Sequence, residues 1–336
     1  MTTSTGALPI ADAALAELLA QRLEIVEERL RGVVTYTDRL ADSASRHLVD
    51  AGGKRLRPLL TLLAAQLGDG ARPEVVDAAV VCELTHLATL YHDDVMDSAP
   101  LRRGAPSAHE VWGNSVAILT GDLLFARAST TVAGLGPEAV RIQAATFERL
   151  CLGQLHETVG PAEGEDPVEH YLQVLADKTG SLVATSGRFG AMFAGCPPEV
   201  VRVMTEFGEK VGVAFQLADD VIDLTSDAAV TGKTPGTDLR EKVPTMPVLL
   251  LRERAAAPDA DPADRELLAL LDADLSSDDA LAEAVAALRE HAVVAETREL
   301  ASRWAREATD VLAALPEGTV RSALHDFASS LVHRSS

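Results

Sequence analysis

The stretch Glu83-Leu-Thr-His-Leu-Ala-Thr-Leu-Tyr-His-Asp-Asp-Val-Met-Asp97 decides the fold, because it is an apolar helical run that ends in three carboxylates. At about 100° per residue, Asp93 and Asp97 lie on one face of the predicted helix and Asp94 flanks them. Carboxylates at a helix C-terminus are opposed by the helix dipole and repel one another. A hard divalent cation among them would relieve this repulsion. The stretch therefore predicts a helix that ends in a metal site.

A second stretch, Phe215-Gln-Leu-Ala-Asp-Asp-Val-Ile-Asp223, repeats this spacing with Asp219, Asp220 and Asp223. For a single motif of this kind, a solvated acidic helix end is the ordinary interpretation. Two copies, each at the polar end of an apolar helix, favour metal binding instead. Short carboxylates suit Mg²⁺, which keeps several waters and is usually completed by substrate phosphates.

Composition restricts the class of protein. The 336 residues are 47% hydrophobic but only 4% aromatic, which favours helices packed through small side chains. A net charge of −21 argues against nucleic-acid binding, which depends on Lys and Arg. No run approaches the ~20 apolar residues of a membrane span. Three cysteines without metal-site spacing, and a start that does not resemble a secretory signal, predict a reduced, cytoplasmic protein.

Several cations stand near these motifs. Gly52-Gly-Lys-Arg-Leu-Arg-Pro58 combines glycines, which allow close backbone approach, with phosphate-binding side chains, although a solvated basic turn explains it equally well. His86 shares the Asp93 face about 10 Å down the helix. Arg102 and Arg103 follow the first motif, where they either neutralise its aspartates or bind the same anion as the metals.

The rest of the chain reads as helices. The pattern predicts helices over about 12–31, 36–49, 115–133, 137–158, 167–194 and 199–224, and Pro73 fits the first turn of the helix that leads to the first motif. An interruption at Asp177-Lys-Thr-Gly180 offers a cation and a hydroxyl inside an apolar segment. Residues 225–247 read as a loop that could act as a lid beside the second motif. Helices from about 258 to 332 are assigned to packing.

Two metal motifs with scattered cations fit a diphosphate substrate. Neither a Walker loop nor a convincing Ser/His/Asp or Cys/His nucleophile set is present. A reaction that needs metals and a leaving diphosphate, but no protein nucleophile, is the ionisation of an allylic diphosphate.

The ordered motifs resemble those of the trans-isoprenyl diphosphate synthases, over about residues 45–250. The motifs that carry the resemblance are Gly52–Pro58, the Asp93 motif, Arg102-Arg-Gly104, Lys178-Thr179, Phe215-Gln216 with the Asp219 motif, and Gly232-Lys233. The resemblance implies an all-α isoprenoid synthase fold, a single helical domain over residues 1–336 with two facing aspartate motifs around a central cavity. It also implies a homodimer.

The resemblance also implies roles for individual residues. Three Mg²⁺ ions on the allylic diphosphate are assigned to Asp93, Asp94, Asp97, Asp219, Asp220 and Asp223. The same diphosphate is assigned to Arg102, Lys178 and Lys233. Isopentenyl diphosphate is assigned to Lys54, Arg57, His86 and Arg103. Thr179 and Gln216 are expected to face the developing carbocation. The reaction is loss of diphosphate, attack by the isopentenyl double bond, and proton loss.

One loop departs from the family pattern. Where members often read Asp-Leu-x-x-Gly-Lys-x-Thr-Leu-Pro, this chain has Asp238-Leu-Arg-Glu-Lys-Val-Pro-Thr-Met-Pro247. Val243 stands at the usual Lys position and Lys242 at the usual Gly position. Lys233 is therefore the only diphosphate contact expected from this region.

Product length is a question of packing. Bulky side chains one turn before Asp93 would stop a growing hydrocarbon tail, and here those positions are Ala88 and Thr89, both small. Tyr91 lies about 160° round the helix from Asp93 and is not expected in that wall. These features resemble the long-chain members and predict a product of about six to ten isoprene units for a quinone side chain.

Three alternatives stay open. A farnesyl or geranylgeranyl diphosphate synthase differs only in cavity depth. A class I terpene cyclase would share the metal motifs but would not need Lys54, Arg57 and His86. A non-catalytic subunit of a heteromeric synthase would be expected to lack one of the motifs, all of which are present.

Overall fold

The computed structural model describes residues 10–226 and 235–332, which are almost entirely helical. The prediction of an all-α protein is confirmed. The chain divides into two compact units. Unit 1 comprises Met1–Leu150, Ser181–Gly208 and Val311–Phe327, and unit 2 comprises Cys151–Gly180, Glu209–Asp310 and Ala328–Ser336.

The first half of the chain contains α1 (Ala13–Val33), α2 (Arg39–Asp50), α3 (Leu56–Ala65), α4 (Pro73–Met96), α5 (Ala108–Trp112), α6 (Asn114–Ala133) and α7 (Pro137–Val159). The second half contains α8 (Pro167–Leu175), α9 (Ser181–Phe193), α10 (Pro198–Thr225), α11 (Thr237–Arg240), α12 (Met246–Ala256), α13 (Pro262–Asp272), α14 (Asp278–Arg289), α15 (Ala292–Val311) and α16 (Thr319–Val332).

Local chemistry explains where helices begin. Asp38 caps α2 by accepting a hydrogen bond from the Ala41 N–H at 2.9 Å, so this helix starts after the cap rather than at Tyr36 as predicted. Pro73 occupies the first turn of α4, where a missing N–H costs nothing. The aspartate-bearing helix thus begins where the sequence predicts.

Three segments differ from the sequence expectation. The predicted loop after the first motif contains a short antiparallel hairpin, β1 (Leu101–Arg102) with β2 (Ala105–Pro106). The predicted interruption after α8 is a π-helical turn, Ala176–Gly180, rather than a break. Part of the predicted 225–247 loop is helical, because α11 and the start of α12 lie within it, and residues 227–234 of this stretch lie outside the described part of the chain.

The core of unit 1 lies along the N-terminal half of α4. Ala78, Val81 and Cys82 of α4 are fully buried with Ile142 of α7 and Phe189 of α9. Close packing of such small and branched side chains fixes the rotation of α4 about its axis. That rotation determines which face of the helix the aspartates occupy.

The core of unit 2 surrounds the C-terminal part of α10. Leu217 packs in one cluster with Tyr171 and Met246, and Val221 and Leu224 pack in another with residues of α11 to α15. The helix that carries the second motif is therefore held on its apolar side by buried side chains.

Helix α6 differs from the other described helices. By length and composition this 20-residue helix could cross a membrane, which differs from the expectation that no run in the chain is long and apolar enough. Its mean hydropathy is 1.3, and 33% of its apolar stretch is buried. Ile118 and Leu119 on this helix are exposed.

Candidate functional site

The first aspartate motif lies at the C-terminal end of α4. Asp97 is the C-cap residue, and its N–H donates to the Asp93 carbonyl at 2.8 Å. Asp93 is half-buried and Asp97 exposed, whereas Asp94 is completely buried. The helical spacing therefore places two carboxylates on the open face and turns the middle one inward.

Asp94 pairs with a residue of the hairpin. The Arg102 Nε donates to Asp94 Oδ1 at 2.6 Å, while Asp94 Oδ2 is buried without a hydrogen-bond partner. Burial raises the pKa of Asp94, and the Arg102 guanidinium opposes this shift. The sequence left open whether Arg102 neutralises an aspartate or binds the same anion as the metals. The structure shows the first of these contacts, with Asp94.

Three of the four predicted isopentenyl diphosphate residues come together in unit 1. Desolvation lowers the pKa of His86 well below its ordinary value, and the charges of Arg57 and Arg103 lower it further. The Arg57 Nε is buried without a hydrogen-bond partner. Buried polar atoms normally have partners, so an unpaired guanidinium nitrogen suits a bound anion that would supply the missing acceptor. Lys54, the fourth residue, lies exposed on the preceding turn.

The turn before α3 is shaped around Arg103. The Arg103 guanidinium donates to the Leu48 carbonyl at 3.0 Å and to the Gly52 carbonyl. A Cβ on Gly53 would lie 2.8 Å from this guanidinium, and Gly53 has a φ of +144°. A glycine is required here, both for the backbone conformation and for the close approach of Arg103.

Arg55, the remaining cation of the basic stretch, has a structural role. It is buried, donates to Glu83 at 2.7 Å and to the Val49 carbonyl at 2.9 Å, and pairs with Glu27. The sequence pattern alone could not separate it from its neighbours Lys54 and Arg57, because its partners lie on α1 and α4.

The second aspartate motif has the same asymmetry as the first. Asp219 and Asp223 are half-buried, but Asp220 is 4% exposed. The Tyr171 hydroxyl lies 3.1 Å from Asp220 Oδ1 and 3.0 Å from Oδ2, and the Met246 N–H donates to Oδ2 at 3.1 Å. Burial raises the pKa of Asp220 well above its ordinary value, and the Met246 N–H opposes this.

Two carboxylates near the second motif were missed by the sequence analysis. Burial together with the charges of Asp223, Glu241, Asp219 and Glu157 raises the pKa of Asp238 to about 7. Asp238 could have been recognised as an acidic residue in a glycine-containing stretch just after the motif. Glu157 carried no signal, because it lies alone at the end of α7.

The π-helical turn presents two further predicted residues. Lys178 is half-buried and forms an ion pair with Glu157, and Thr179 is buried. Gln216 is half-buried, one turn before the second motif. π-Helical turns frequently occur at functional sites, because they redirect side chains. Unit 2 thus combines a lysine with several carboxylates.

Two residues near the motifs need separate mention. His92, which precedes Asp93, lies 3.1 Å from the Ile118 carbonyl and 3.4 Å from Asp122, both on α6. Lys233, expected to bind the diphosphate, lies outside the described residues.

A family model described as "Polyprenyl synthetase" matches residues 38–288, which include all the motifs above. The chain belongs to this family. Two relatives come from Mycobacterium tuberculosis: a nonaprenyl diphosphate synthase, 45% identical over 96% of this chain and 95% of the relative, and a dimethylallyltranstransferase, 40% identical over 89% and 90%. The family resemblance drawn from the motifs is confirmed.

The isoprenoid synthase fold of this polyprenyl synthetase family member is also confirmed. A geranylgeranyl pyrophosphate synthase from Corynebacterium glutamicum, solved with calcium and isoprenyl diphosphate, has a TM-score of 0.85 and 41% identity. The match covers 97% of this chain and 99% of that one.

The residues present fit a divalent metal, as the calcium of that structure implies for the family. Burial and the neighbouring carboxylates raise the pKa of Asp238 to about 7, and a cation among these carboxylates would relieve their repulsion. Within residues 10–226 and 235–332, no group of three or more His, Cys, Asp or Glu side chains could hold an ion. Mg²⁺ in proteins is usually bound by one or two carboxylates, and substrate phosphates and water complete its shell.

Proposed function

We propose that this protein is a trans-polyprenyl diphosphate synthase, which condenses isopentenyl diphosphate head to tail onto an allylic diphosphate. The proposal rests on one observation: the chain has both a site rich in arginine and a site rich in carboxylates. The guanidinium groups of Arg57 and Arg103, which lie around His86, suit one diphosphate. Carboxylates around Asp219 and Asp223 suit a metal-bound diphosphate.

In this reaction, the bond between the allylic carbon and the diphosphate oxygen breaks first. The isopentenyl double bond then forms a carbon–carbon bond with the allylic cation, and a proton is lost to the departing diphosphate. Lys178 and Arg102 would stabilise charge on the leaving group, while Thr179 and Gln216 would direct oxygen dipoles at the cation. No protein nucleophile is required.

We propose Mg²⁺ as the metal and three ions for each active site. Bound Mg²⁺ would neutralise the developing charge of the leaving diphosphate. Asp93 and Asp97 at the first motif, and Asp219 and Asp223 at the second, are the carboxylates on the open helix faces. The buried middle carboxylates, Asp94 and Asp220, belong to the same proposed site.

We propose a long-chain product of about six to ten units. Ala88 is fully buried and Thr89 is half-buried on α4, and neither has a bulky side chain. The Tyr91 hydroxyl donates to the Ala44 carbonyl at 2.5 Å, so the Tyr91 side chain points towards α2. The nonaprenyl relative supports this choice, whereas the geranylgeranyl neighbour favours a short-chain product as the second candidate.

We also propose a homodimer in the cytoplasm. The exposed Ile118 and Leu119 on α6 form an apolar face that a second copy would cover. All three cysteines are free thiols, as expected in a reducing compartment.

Release of diphosphate tests the proposed activity directly. Purified protein is given isopentenyl diphosphate with farnesyl diphosphate, and diphosphate is followed by a coupled assay. We expect release that requires both substrates, stops with a chelator, resumes with Mg²⁺, and falls at least ~100-fold in Asp219→Asn. Release from farnesyl diphosphate alone would indicate a cyclase, and no release would indicate a non-catalytic subunit.

A further inference from the structure

Asp220 is turned away from the open face of α10 and has partners for both of its oxygens. Tyr171 of α8 spans Oδ1 and Oδ2 at 3.1 and 3.0 Å, and the Met246 N–H takes a second position on Oδ2 at 3.1 Å. With Asp220 4% exposed and Tyr171 7% exposed, this is a desolvated hydrogen-bonded group rather than a surface contact.

The start of α12 explains why a carboxylate lies there. Thr245 is the N-cap residue, but its side chain makes no capping hydrogen bond. The Val248 and Leu249 N–H groups both donate to the Thr245 carbonyl, and Pro247 has no N–H. The Met246 N–H is the remaining first-turn donor, and Asp220 accepts from it. A carboxylate from α10 thus caps a different helix, where the helix dipole favours its charge.

The residues before α12 are tied to α10 at a second point. The Gly236 N–H donates to the Asp223 carbonyl at 2.9 Å, and Gly236 has a φ of +78° that favours glycine. The segment 236–246 is therefore attached to α10 at both ends. Asp238 lies within this segment, and its charge environment includes Asp219 and Asp223.

We infer that Tyr171 and Asp220 are positioning residues, which hold the segment 236–246 against α10 so that Asp238 stays with Asp219 and Asp223. This inference rests on the proposed function, since it concerns how the second motif is prepared for a metal-bound diphosphate. Asp219 and Asp223 lie one turn apart on the half-buried face of α10 that Asp220 flanks. Asp220 acts through the helix cap.

The test measures metal binding without turnover. Free Mn²⁺ is counted by electron paramagnetic resonance in the presence of inorganic diphosphate, for the wild type and for Tyr171→Phe, Asp220→Asn and Asp219→Asn. Tyr36→Phe is the matched control, because it removes a tyrosine hydroxyl that donates to a backbone carbonyl, that of Leu123, rather than to a carboxylate.

We expect Tyr171→Phe to raise the Mn²⁺ dissociation constant about tenfold, as for other groups that orient metal ligands. Asp220→Asn keeps an acceptor for the Met246 N–H and should lose less affinity than Asp219→Asn. A Tyr171→Phe constant within about twofold of Tyr36→Phe would overturn the inference, as would an Asp220→Asn loss equal to that of Asp219→Asn. A wild type that binds no Mn²⁺ with diphosphate would instead contradict the proposed function.

Hydrogen exchange provides a second measurement that separates positioning from general stability. Amide exchange over residues 236–246 should accelerate in Tyr171→Phe, while exchange in α15 stays at the wild-type rate. Acceleration spread evenly over unit 2, or none in the 236–246 segment, would contradict a positioning role.

Discussion

Arg55 and Glu83 form the most buried ion pair among the described residues. Both side chains are 2% exposed, and their nitrogen and oxygen lie 2.7 Å apart. Arg55 also binds the Val49 carbonyl and Glu27, so it joins α1, α2 and α4 beneath the basic turn. Such a pair is costly to break, because the remaining charge stays desolvated.

Replacing Glu83 should therefore destabilise the protein strongly. We expect Glu83→Gln to lower the free energy of unfolding by about 3–5 kcal/mol, measured by urea denaturation. Glu138→Gln is the control, because its pair with Arg141 is exposed and should contribute at most about 1 kcal/mol. Equal losses in the two variants would contradict a structural role for the Arg55 pair.

His86 should make stability depend on pH. Desolvation, with Arg57 and Arg103, lowers the pKa of His86 well below its ordinary value, while the unfolded chain keeps a pKa of about 6.5. Below that pH the unfolded chain binds the extra proton, so stability falls as the pH decreases. Relative to His86→Gln, the wild type should lose at most about 1.4 kcal/mol per pH unit between pH 6.5 and 5. Parallel pH profiles would contradict a lowered pKa.

At the residue scale, sequence identified side chains that share a short pattern and missed those that meet only in the fold. Asp93 and Asp97 were recognisable because helix geometry fixes their common face. Tyr171 and Glu157 carried no local signal, because each acquires its partner from a distant helix. The inward direction of Asp94 and Asp220 likewise depended on Arg102 and Met246.

At the scale of elements, the turn between α2 and α3 positions Arg103. Gly53→Ala would place a Cβ against the guanidinium, and the backbone there has a φ of +144°. We expect the KM for isopentenyl diphosphate to rise about tenfold with a smaller change in the KM for the allylic primer, measured by initial rates. This result would assign the site beside Arg103 to isopentenyl diphosphate.

Gly52→Ala is the matched control for this turn. It also has a positive φ, +79°, but a Cβ there would meet nothing within 4 Å. Backbone strain without displacement of Arg103 should lower stability by about 1 kcal/mol and leave the isopentenyl KM near the wild-type value. Similar KM increases in both variants would show that strain, and not the Arg103 contact, is responsible.

Elements were predicted best where apolar periodicity was long. Helix α4 begins at Pro73 as expected and α10 covers the predicted span, because their buried faces dominate the pattern. The π-helical turn and the short α11 were not predicted. Gly180 reads as an interruption in sequence, and α11 depends on Leu239 packing against α14, a contact remote in sequence.

At the scale of the whole molecule, the apolar face of α6 is the basis for the homodimer. Leu119 is 60% exposed on a helix with a mean hydropathy of 1.3. Leu119→Asp should convert the dimer to a monomer in light scattering coupled to size exclusion, because a charge would be desolvated at the interface. Leu40→Asp, at a leucine of α2 that is 50% exposed, should stay dimeric. A monomeric wild type would contradict the proposal.

Whether the 336 residues act as one domain stays a prediction from the motif order. Helix α10 contributes to both compact units, with residues up to Gly208 in unit 1 and those from Glu209 in unit 2. Composition could exclude nucleic-acid binding, because a charge of −21 is a property of the whole chain. Composition carried no information on which helices are exposed to water.

The central claim, long-chain condensation, is tested most directly by product length. The protein is incubated with Mg²⁺, labelled isopentenyl diphosphate and geranyl, farnesyl or geranylgeranyl diphosphate, and the dephosphorylated products are separated by chromatography. We predict products of about six to ten units, and shorter ones from Thr89→Phe, whose half-buried position tolerates a larger side chain better than Ala88. A wild-type ladder that ends at three or four units would contradict the long-chain claim, and no product from any primer would contradict the enzyme itself.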